Sequence, residues 1–350
     1  MIKYLGSKRV LVPAIRGIVE RLPGVRRVVD LFSGTARVGH ALKGAGFRVH
    51  ANDHNAFAAT LARCYVAADA GEHGKEAEAL IRELGGVKGK DGWFTETYCR
   101  RSRYFRPENG ARIEAIREAI RSRALSEPLE SILLVSLMEA ADRVDSTTGV
   151  QMAYLKSWAP RAFNPLELRL PRILPGPGSA SCMDAAGAAE SFSGDLVYLD
   201  PPYNQHSYLC NYHIWETLVA WDRPDVYGVA MKRIDCRSRK SDFNSKPRIL
   251  PALTEVLGRI DSRYLIVSFN DEGYVVPEAL HGLLAKHGEV LALEFDYKRY
   301  VGAQIGIYNP KGHKVGTIKK LRNKEFLFVV SKEAKALRRL EHLPNAVIPT

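Results

Sequence analysis

Several features that would mark a secreted, membrane or metal-binding protein are missing from this sequence. The five cysteines are widely scattered and form no C-x-x-C pair, so neither a zinc site nor a redox couple is indicated. No uncharged apolar run is long enough to cross a membrane, and the first residues lack the apolar core of a signal peptide. We therefore expect a cytoplasmic protein with reduced thiols, no membrane contact and no metal.

Acidic residues are scarce in three stretches of the chain. The 51 Lys and Arg residues exceed the 39 Asp and Glu residues, which gives a formal net charge of +12. Residues 1–50 hold ten basic and two acidic residues, residues 231–250 hold seven and two, and residues 298–324 hold eight and none. Any one of these runs is typical of a solvated surface. The three together favour a nucleic acid as partner.

The 350 residues are enough for one large domain or two modest ones, with an ordinary share of 46% hydrophobic residues. Strand and helix patterns alternate near both ends of the chain, whereas helical spacing prevails in between. The patterns predict an α/β domain formed by residues 1–60 and 161–335. A mainly helical insert, residues 61–160, interrupts it, and residues 336–350 form a tail.

One glycine of a G-x-G-x-x-G pattern is missing from the first strand–loop–helix unit, because Ala36 stands at the middle position. Strand 27–32 leads into a small, glycine-bearing loop, and the next strand ends at Asp53, 19 residues after Gly34. Glycines let a backbone approach a nucleotide, and an acid at the second strand tip accepts hydrogen bonds from ribose hydroxyls. A dehydrogenase has a similar pattern, and a tight turn without a ligand is the structural alternative.

A buried strand, residues 194–199, ends abruptly in the sequence D-P-P-Y at residues 200–203. The two prolines donate no backbone hydrogen bond, and the carboxylate of Asp200 is an acceptor beside them. Such a rigid polar tip can bind a planar amine at the carboxyl edge of an α/β sheet. The alternative is a proline turn without chemical function.

Three polar segments are candidates for contact with a nucleic acid. Residues 85–107 interleave aromatic rings with arginines, which suits phosphate contact and base stacking but also an exposed loop. Residues 142–158 are too polar for a core and are candidates to face the substrate. Residues 226–251 are basic and lack apolar spacing, so we expect a loop over the site or along a phosphate backbone.

Three separate motifs occur in a distinctive order: Y-L-G-S-K at residues 4–8, D-L-F-S-G-T-A at residues 30–36, and D-P-P-Y after the long insert. In this order the chain resembles the D12-class, Dam-like (alpha-group) N6-adenine-specific DNA methyltransferases, from its first residues to about residue 332. The resemblance implies a Rossmann-like class I fold that uses S-adenosylmethionine. It also implies a mostly parallel seven-stranded sheet whose last strand is antiparallel, and an inserted helical target-recognition region.

The resemblance also implies roles for individual residues. Asp53 would hold the ribose hydroxyls of the cofactor, and Asp184 would lie near its adenine. The full set implied for S-adenosylmethionine is Tyr4, Lys8, Phe32, Gly34, Thr35, Ala36, Asp53, Asp184 and Asp200. In catalysis, Asp200 and the carbonyl of Pro201 would hold the N6 amine of a flipped adenine, and Tyr203 would stack on its ring.

The chemistry of the motif agrees with these roles. An amine conjugated to a ring is a poor nucleophile, but two acceptors that hold its hydrogens direct the nitrogen lone pair toward a methyl donor. Because a duplex does not present that geometry, the base must be flipped out.

We therefore expect a sequence-specific methyltransferase of double-stranded DNA from a bacterial or phage modification system, with a cognate restriction endonuclease as a possible partner. An N4-cytosine or RNA amine methyltransferase and a catalytically silent DNA-binding relative are the alternatives.

Overall fold

A sheet of eight strands lies at the centre of the protein in a computed structural model, which describes residues 1–298, 307–308, 314–316, 322–343 and 346–347. The strands outside this sheet pair as two short hairpins, β5 with β6 and β9 with β10. All strands, in chain order, are β1 (Arg27–Asp30), β2 (Arg48–Asn52), β3 (Gly178–Ser181), β4 (Leu196–Leu199), β5 (Val226–Tyr227), β6 (Lys232–Arg233), β7 (Tyr264–Asn270), β8 (Glu289–Lys298), β9 (Ile307–Tyr308), β10 (Lys314–Gly316), β11 (Arg322–Ser331) and β12 (Ala346–Val347).

The strand order is β3-β2-β1-β4-β7-β11-β8-β12. Strands β3, β2, β1, β4 and β7 are mutually parallel, whereas β11 runs antiparallel between β7 and β8. The prediction of a mostly parallel sheet with an antiparallel last strand is therefore confirmed. The two-residue strand β12, which lies in the predicted tail, adds an eighth strand beside β8. Strands β8 and β11 pair with each other along their whole length.

Helices cover both faces of the sheet. They are α1 (Val12–Arg21), α2 (Arg37–Gly44), α3 (Ala56–Ala62), α4 (Ala70–Gly85), α5 (Trp93–Thr95), α6 (Pro107–Arg121), α7 (Glu127–Val144), α8 (Ala185–Ser191), α9 (Tyr208–Asn211), α10 (His213–Ala220), α11 (Ile249–Arg259), α12 (Pro277–Leu284) and α13 (Ala334–Arg338). Within the described ranges, none is both long enough and apolar enough to span a membrane.

Strand β4 shows why the sheet is covered on both faces. Its four residues are all buried, and successive side chains point to opposite faces because the strand repeats every two residues. Leu196 and Tyr198 join the core on one face, which includes residues of α1 to α4, α6, α7 and α10. Val197 and Leu199 join the core on the other face, under α8, α11 and α12. A continuous apolar run is thus typical of a central parallel strand.

The helices of residues 61–160 share one hydrophobic cluster with the sheet, so this region packs on the first face. Its boundaries as a recognition insert remain a prediction. Tyr98 and Tyr104, which the sequence offered for base stacking, are fully buried. The hydroxyl of Tyr104 donates to the carbonyl oxygens of Gln151 and Ala230 at 2.7 and 3.0 Å. For these two rings the base-stacking interpretation is wrong, because they belong to the core.

The first part of the polar stretch 142–158 lies mostly inside the protein, whereas residues 152–158 are half-buried or exposed. Asp145 is buried and accepts hydrogen bonds from the Lys3 ammonium at 2.8 Å and from the Arg161 guanidinium at 2.7 and 2.9 Å. The buried His213 ring nitrogen lies 3.0 Å from the carbonyl oxygen of Gln151. The contact with Lys3 holds the N-terminal segment at the end of α7, and Gln151 is held against α10. Asp145 and Gln151 therefore do not face a substrate.

The basic residues 226–251 are more ordered than the sequence suggested. The hairpin β5–β6 leads into two short 3₁₀ turns, at Ile234–Arg237 and Asp242–Asn244. Arg233 is buried and paired with Asp222 and Asp235 at 2.8 and 3.1 Å. The third basic stretch, residues 298–324, lies mostly outside the described residues.

Two helical glycines allow a test of the packing of the insert. A Cβ on Gly110 of α6 would overlap the buried Sγ of Cys99, whereas a Cβ on Gly74 of α4 would meet nothing within 4 Å. We expect Gly110→Ala to lower the free energy of unfolding by about 1–3 kcal/mol. Gly74→Ala should raise it by about 0.5–1 kcal/mol, because alanine favours the helix. Urea unfolding measures both.

The double variant Cys99→Ala/Gly110→Ala is the control, since removing the sulfur makes room for the new methyl group. It should recover most of the stability lost in Gly110→Ala. Equal stability of Gly110→Ala and Gly74→Ala would contradict the close contact.

Candidate functional site

A cavity of about 510 Å³ opens at the carboxyl edge of the sheet. The N-terminal segment and the loops that follow β1, β2, β3 and β4 all contribute to its walls. Because parallel strands end at the same edge, residues that are far apart in the chain meet there. Eight of the eleven predicted site residues line this cavity, namely Tyr4, Lys8, Phe32, Gly34, Thr35, Asp53, Asp184 and Asp200.

Asp53 connects the loops that follow β1 and β2. Its Oδ2 accepts a hydrogen bond from the Gly34 N–H at 3.0 Å, and its Oδ1 accepts one from the Asn55 N–H at 2.9 Å. Gly34 has a left-handed φ of 50°, and a Cβ there would lie 3.3 Å from the Tyr4 hydroxyl. A glycine suits this position, because it allows the turn and the close approach of the ring.

Ala36 is not among the residues that line the cavity, and the contact of its backbone with the cofactor stays a prediction. The residue is fully buried, and its N–H donates to the carbonyl oxygen of Ser33 at 2.7 Å. Its φ of 58° is left-handed and directs the chain into α2. Ala36 thus adopts a backbone conformation that glycine adopts easily. For a residue with a Cβ, this conformation costs about 1–2 kcal/mol.

Several buried polar atoms in the cavity wall have no protein partner. Ser7 Oγ, Asp30 Oδ1, Ser33 Oγ and Asn55 Oδ1 accept or donate no hydrogen bond within the part of the chain that the structure describes. Burying such atoms unpaired is costly, so the wall is suited to a ligand with several polar groups. S-adenosylmethionine, with an ammonium, a sulfonium and ribose hydroxyls, fits this set of acceptors.

Asp30, at the end of β1, is the most unusual of these acceptors. Its Oδ2 accepts from the Gly39 N–H at 3.0 Å, while its Oδ1 is buried without a partner among the described residues. Burial raises the pKa of Asp30 to about 7, against the opposing effect of the Gly39 hydrogen bond. A nearby cationic ligand would favour the ionised form of this carboxyl.

Lys8 lies between two carboxylates. Its Nζ is 3.1 Å from Oδ1 of Asp200 and also contacts Oε1 of Glu325. The exposed fractions of the three side chains are 7% for Lys8, 5% for Glu325 and 18% for Asp200. Asp200 is therefore the more accessible of the two acids, and it is the one that lines the cavity.

Burial and charge together shift the protonation of this group. Burial raises the pKa of Asp200 to about 6, Lys8 acts against this rise, and Glu325 adds to it. Burial also disfavours the charge on Lys8, but the two carboxylates outweigh this effect and raise the pKa of Lys8 well above its ordinary value. Asp200 is thus a carboxylate at neutral pH with an increased affinity for a proton.

The sequence motifs did not identify Glu325. It lies in the N-terminal part of β11, just before an apolar run, and a single acid at such a position forms no recognisable motif. Because β11 is antiparallel, its N-terminal part reaches the edge at which the parallel strands end. The register pairs Glu325 with Asn270 at the end of β7. The sequence could have indicated Glu325 as a site residue only if it had also shown that this strand is antiparallel and therefore begins at the cavity edge.

Tyr208 and Tyr212 are two further residues that the motifs missed. Both rings stack on Tyr4, with centroid distances of 5.0 and 4.8 Å. The Leu5 N–H donates to the Tyr212 hydroxyl at 2.6 Å. These contacts hold the N-terminal segment in the cavity wall, where Tyr208 is also exposed to the cavity. Their spacing of four residues is a helical repeat, which the sequence shows but does not link to Tyr4.

Pro201 and Tyr203 do not line this cavity, although both adjoin Asp200. Pro201 is buried. The Tyr203 ring lies 5.8 Å from the Lys8 ammonium and 5.4 Å from the ring of Phe269. Its carbonyl oxygen accepts from the Tyr274 N–H at 2.8 Å. Tyr203 is thus fixed beside the Lys8–Asp200 pair.

The predicted loop over the site lies at the rim of the cavity, where residues 238–243 contribute to the lining. The edge of the Phe243 ring packs against Phe32, with centroids 5.1 Å apart. Arg239 pairs with the buried Glu216 at 3.0 Å. No group of three or more His, Cys, Asp or Glu side chains suited to a metal ion occurs among the described residues.

The strand order, with β11 antiparallel to both β7 and β8, and a cavity at the carboxyl edge define the class of Rossmann-like S-adenosylmethionine-dependent methyltransferase folds. The sequence then identifies the family. The chain belongs to the D12 class N6 adenine-specific DNA methyltransferases, whose pattern it matches over residues 4–278.

Curated relatives are modification enzymes. The chain is 29% identical over 276 residues to the type II methyltransferase M.NlaIII of Neisseria lactamica, which covers 76% of this chain and 81% of that protein. It is 34% identical over 191 residues to the type II methyltransferase M.FokI of Planomicrobium okeanokoites, covering 53% of this chain and 29% of the relative. The modification methylase StsI of Streptococcus sanguinis is 31% identical over 211 residues, covering 58% and 32%. The chain thus spans less than a third of M.FokI and StsI.

Among solved structures, a SAM dependent methyltransferase from Agrobacterium tumefaciens aligns with 95% of this chain and 64% of its own, at 10% identity and a TM-score of 0.35. The fold assignment therefore depends on the strand order and the family match.

The shared ammonium of Lys8 leads to a prediction about stability. Lys8→Met leaves Asp200 and Glu325 buried without their cation, so we expect a loss of about 3–5 kcal/mol in the free energy of unfolding near pH 8. The loss should shrink as the pH falls through the raised pKa of Asp200, because a protonated carboxyl no longer needs the ammonium. Urea unfolding at several pH values measures this dependence.

Lys75→Met on α4 is the matched control, since Lys75 is exposed and its replacement should change stability by about 0.5 kcal/mol or less. A Lys8→Met variant as stable as this control at pH 8 would contradict the buried triad.

Proposed function

We propose that this protein transfers a methyl group from S-adenosylmethionine to the N6 amine of an adenine at a specific site in double-stranded DNA. The observation that carries the proposal is the position of Asp200, whose carboxylate is paired on one oxygen with Lys8 and lines the cavity at the end of β4. Membership of the D12 class supports adenine over cytosine, whose N4 amine has the same chemistry.

The loops after the first three parallel strands would hold the cofactor. Asp53 would bind the ribose hydroxyls with the lone pairs that its bonds to Gly34 and Asn55 leave unused. Asp184, which caps α8 through the Gly187 N–H at 2.9 Å, would lie near the adenine. Lys8, Phe32 and Thr35 line the same cavity and complete the walls. The bound cofactor supplies a methyl group on a cationic sulfur and leaves as a neutral thioether.

Asp200 would orient and deprotonate the target amine. Its Oδ1 is engaged by Lys8, so Oδ2 is the oxygen available to accept an N6 hydrogen, with the Pro201 carbonyl as second acceptor. After the nitrogen bonds to the methyl carbon it carries one excess proton, which passes to Oδ2 of Asp200 and then to solvent. The flipped base would stack on Tyr203, which offsets part of the cost of unstacking.

The biological setting follows from the relatives, which are type II methyltransferases and modification methylases. We infer a role in a bacterial or phage modification system in the cytoplasm, with a cognate restriction endonuclease as partner. Residues 61–160 and the basic residues 231–250 are the proposed DNA-facing regions. Long-read mapping of modified bases in DNA from cells that express the chain would identify the base and its sequence context, and unmodified DNA would refute the proposal.

The first prediction from this mechanism concerns the carboxylate. Asp200→Ala should lower methyl transfer about 10³-fold or more, because the amine loses the acceptor that orients it. DNA binding should change little, since phosphate contacts supply most of the affinity. Transfer of labelled methyl groups and DNA binding at fixed salt concentration measure the two effects. Asp200→Asn, which keeps the shape without the charge, should also be inactive, and substantial turnover in either variant would exclude this role.

The second prediction concerns pH. The amine is held by the ionised carboxylate, so the rate should fall as the pH drops through the Asp200 pKa of about 6. A carboxylate with an ordinary pKa near 3.8 would stay active at lower pH. Single-turnover rates at saturating DNA and cofactor, measured from about pH 5 to about pH 9, give the acidic limb. A rate that stays constant down to pH 5 would contradict the assignment.

A further inference from the structure

We propose that Glu325 is a positioning residue for methyl transfer, which holds the Lys8 ammonium against one oxygen of Asp200 and thereby fixes the direction and the charge of the acid that receives the amine. The inference rests on the proposed function of Asp200. It assigns a task to a residue on β11, beyond the end of the family match at residue 278.

The first step is that Glu325 is itself immobilised. Its Oε2 accepts a hydrogen bond from Asn270 Nδ2 at 3.1 Å. The Ser268 hydroxyl lies 3.4 Å from its Oε1, the oxygen that also contacts Lys8. Ser268 and Asn270 are buried residues of β7, the neighbour of β11 in the sheet. Glu325 is therefore held by the sheet and does not face the cavity, whose lining includes Asp200.

The second step concerns the direction of the Lys8 ammonium. A lysine side chain is flexible and carries three donor hydrogens, so one partner alone would leave it free to rotate. Two carboxylates together restrict its nitrogen, and the contact with Asp200 Oδ1 then orients that carboxylate. A small displacement of a reacting group lowers a rate strongly, so this anchoring matters for catalysis.

The third step concerns charge. One ammonium serves two acids, so each acid receives less stabilisation of its anion than a dedicated pair would provide. The charged or titratable groups that act on Lys8 and Asp200 include, besides Glu325, the residues Tyr4, Asp30, Tyr198, Tyr203 and Tyr208. Burial is the largest cause of the raised pKa of Asp200, Lys8 opposes it, and Glu325 increases it.

The consequence for the reaction is a better proton acceptor. The amine nitrogen ends the transfer with one proton more than the product needs, and Asp200 Oδ2 is the atom that receives it. An acid whose pKa is closer to the operating pH accepts a proton more readily than an ordinary aspartate. Glu325 thus improves the acceptor without contacting the substrate.

The test is the pH dependence of the single-turnover rate of methyl transfer by the Glu325→Gln variant. In this variant the Lys8 ammonium pairs with Asp200 only, which lowers the pKa of Asp200. The acidic limb of the rate should therefore move to lower pH by about one unit. The plateau rate should fall about 10-fold or more, because Lys8 loses one of its two anchors. The KM for DNA should stay close to that of the unmodified protein, since Glu325 is buried away from the surface.

Asn270→Ala is the matched control, because it loosens Glu325 but keeps its charge. It should lower the plateau rate and leave the acidic limb in place. Glu325→Met also removes the charge and should likewise move the limb to lower pH, which provides a second test if Glu325→Gln folds poorly. Urea unfolding reports the folded fraction of each variant.

A folded Glu325→Gln variant with an unshifted limb would overturn the inference, and so would a folded Glu325→Met variant with an unshifted limb. These outcomes differ from failure of the proposed function. If the unmodified protein transfers no methyl group to DNA, the proposed function itself is wrong. If the unmodified protein does methylate DNA, and the acidic limbs of the Glu325 variants coincide with that of the unmodified protein, only the proposed role of Glu325 is wrong.

Discussion

The ammonium of Lys8 links three parts of the chain that are far apart in sequence. It joins the N-terminal segment to Asp200 at the tip of β4 and to Glu325, which lies 317 residues away. Each of these charges would be costly to bury alone, because a low-dielectric interior disfavours an unpaired ion. The three charges stabilise one another, so the geometry of the site depends on contacts between distant parts of the chain.

The topology of the sheet explains why these residues can meet. Parallel strands β1, β2, β4 and β7 direct their carboxyl ends to one edge, and polar residues after each strand collect there. The antiparallel strand β11 brings its N-terminal part to that edge, which adds an acid from the far end of the chain. The proposed catalytic carboxylate, Asp200, therefore lies in the wall of the cavity itself.

Local composition predicted burial poorly in segments whose residue types occur both in protein cores and on binding surfaces. The arginine- and tyrosine-rich residues 85–107 have a composition typical of base stacking, yet Tyr98 and Tyr104 are buried with partners for their hydroxyls. The polar residues 142–158 looked unsuited to a core, but Asp145 is buried because Lys3 and Arg161 neutralise it. Pairing of this kind depends on residues distant in sequence, and no local pattern reveals it.

The sequence by itself determined the class of fold and named eight of the residues that line the cavity. Motifs were enough for these predictions, because the geometry of a glycine-bearing loop, of an acid at a strand end and of a D-P-P-Y tip depends on residues adjacent in sequence. Tertiary structure alone decided that Ala36 lies behind the cavity, that Tyr208 stacks on Tyr4, and that Glu325 shares Lys8 with Asp200. Those contacts depend on strand direction and register, which place residues from opposite ends of the chain at one edge of the sheet.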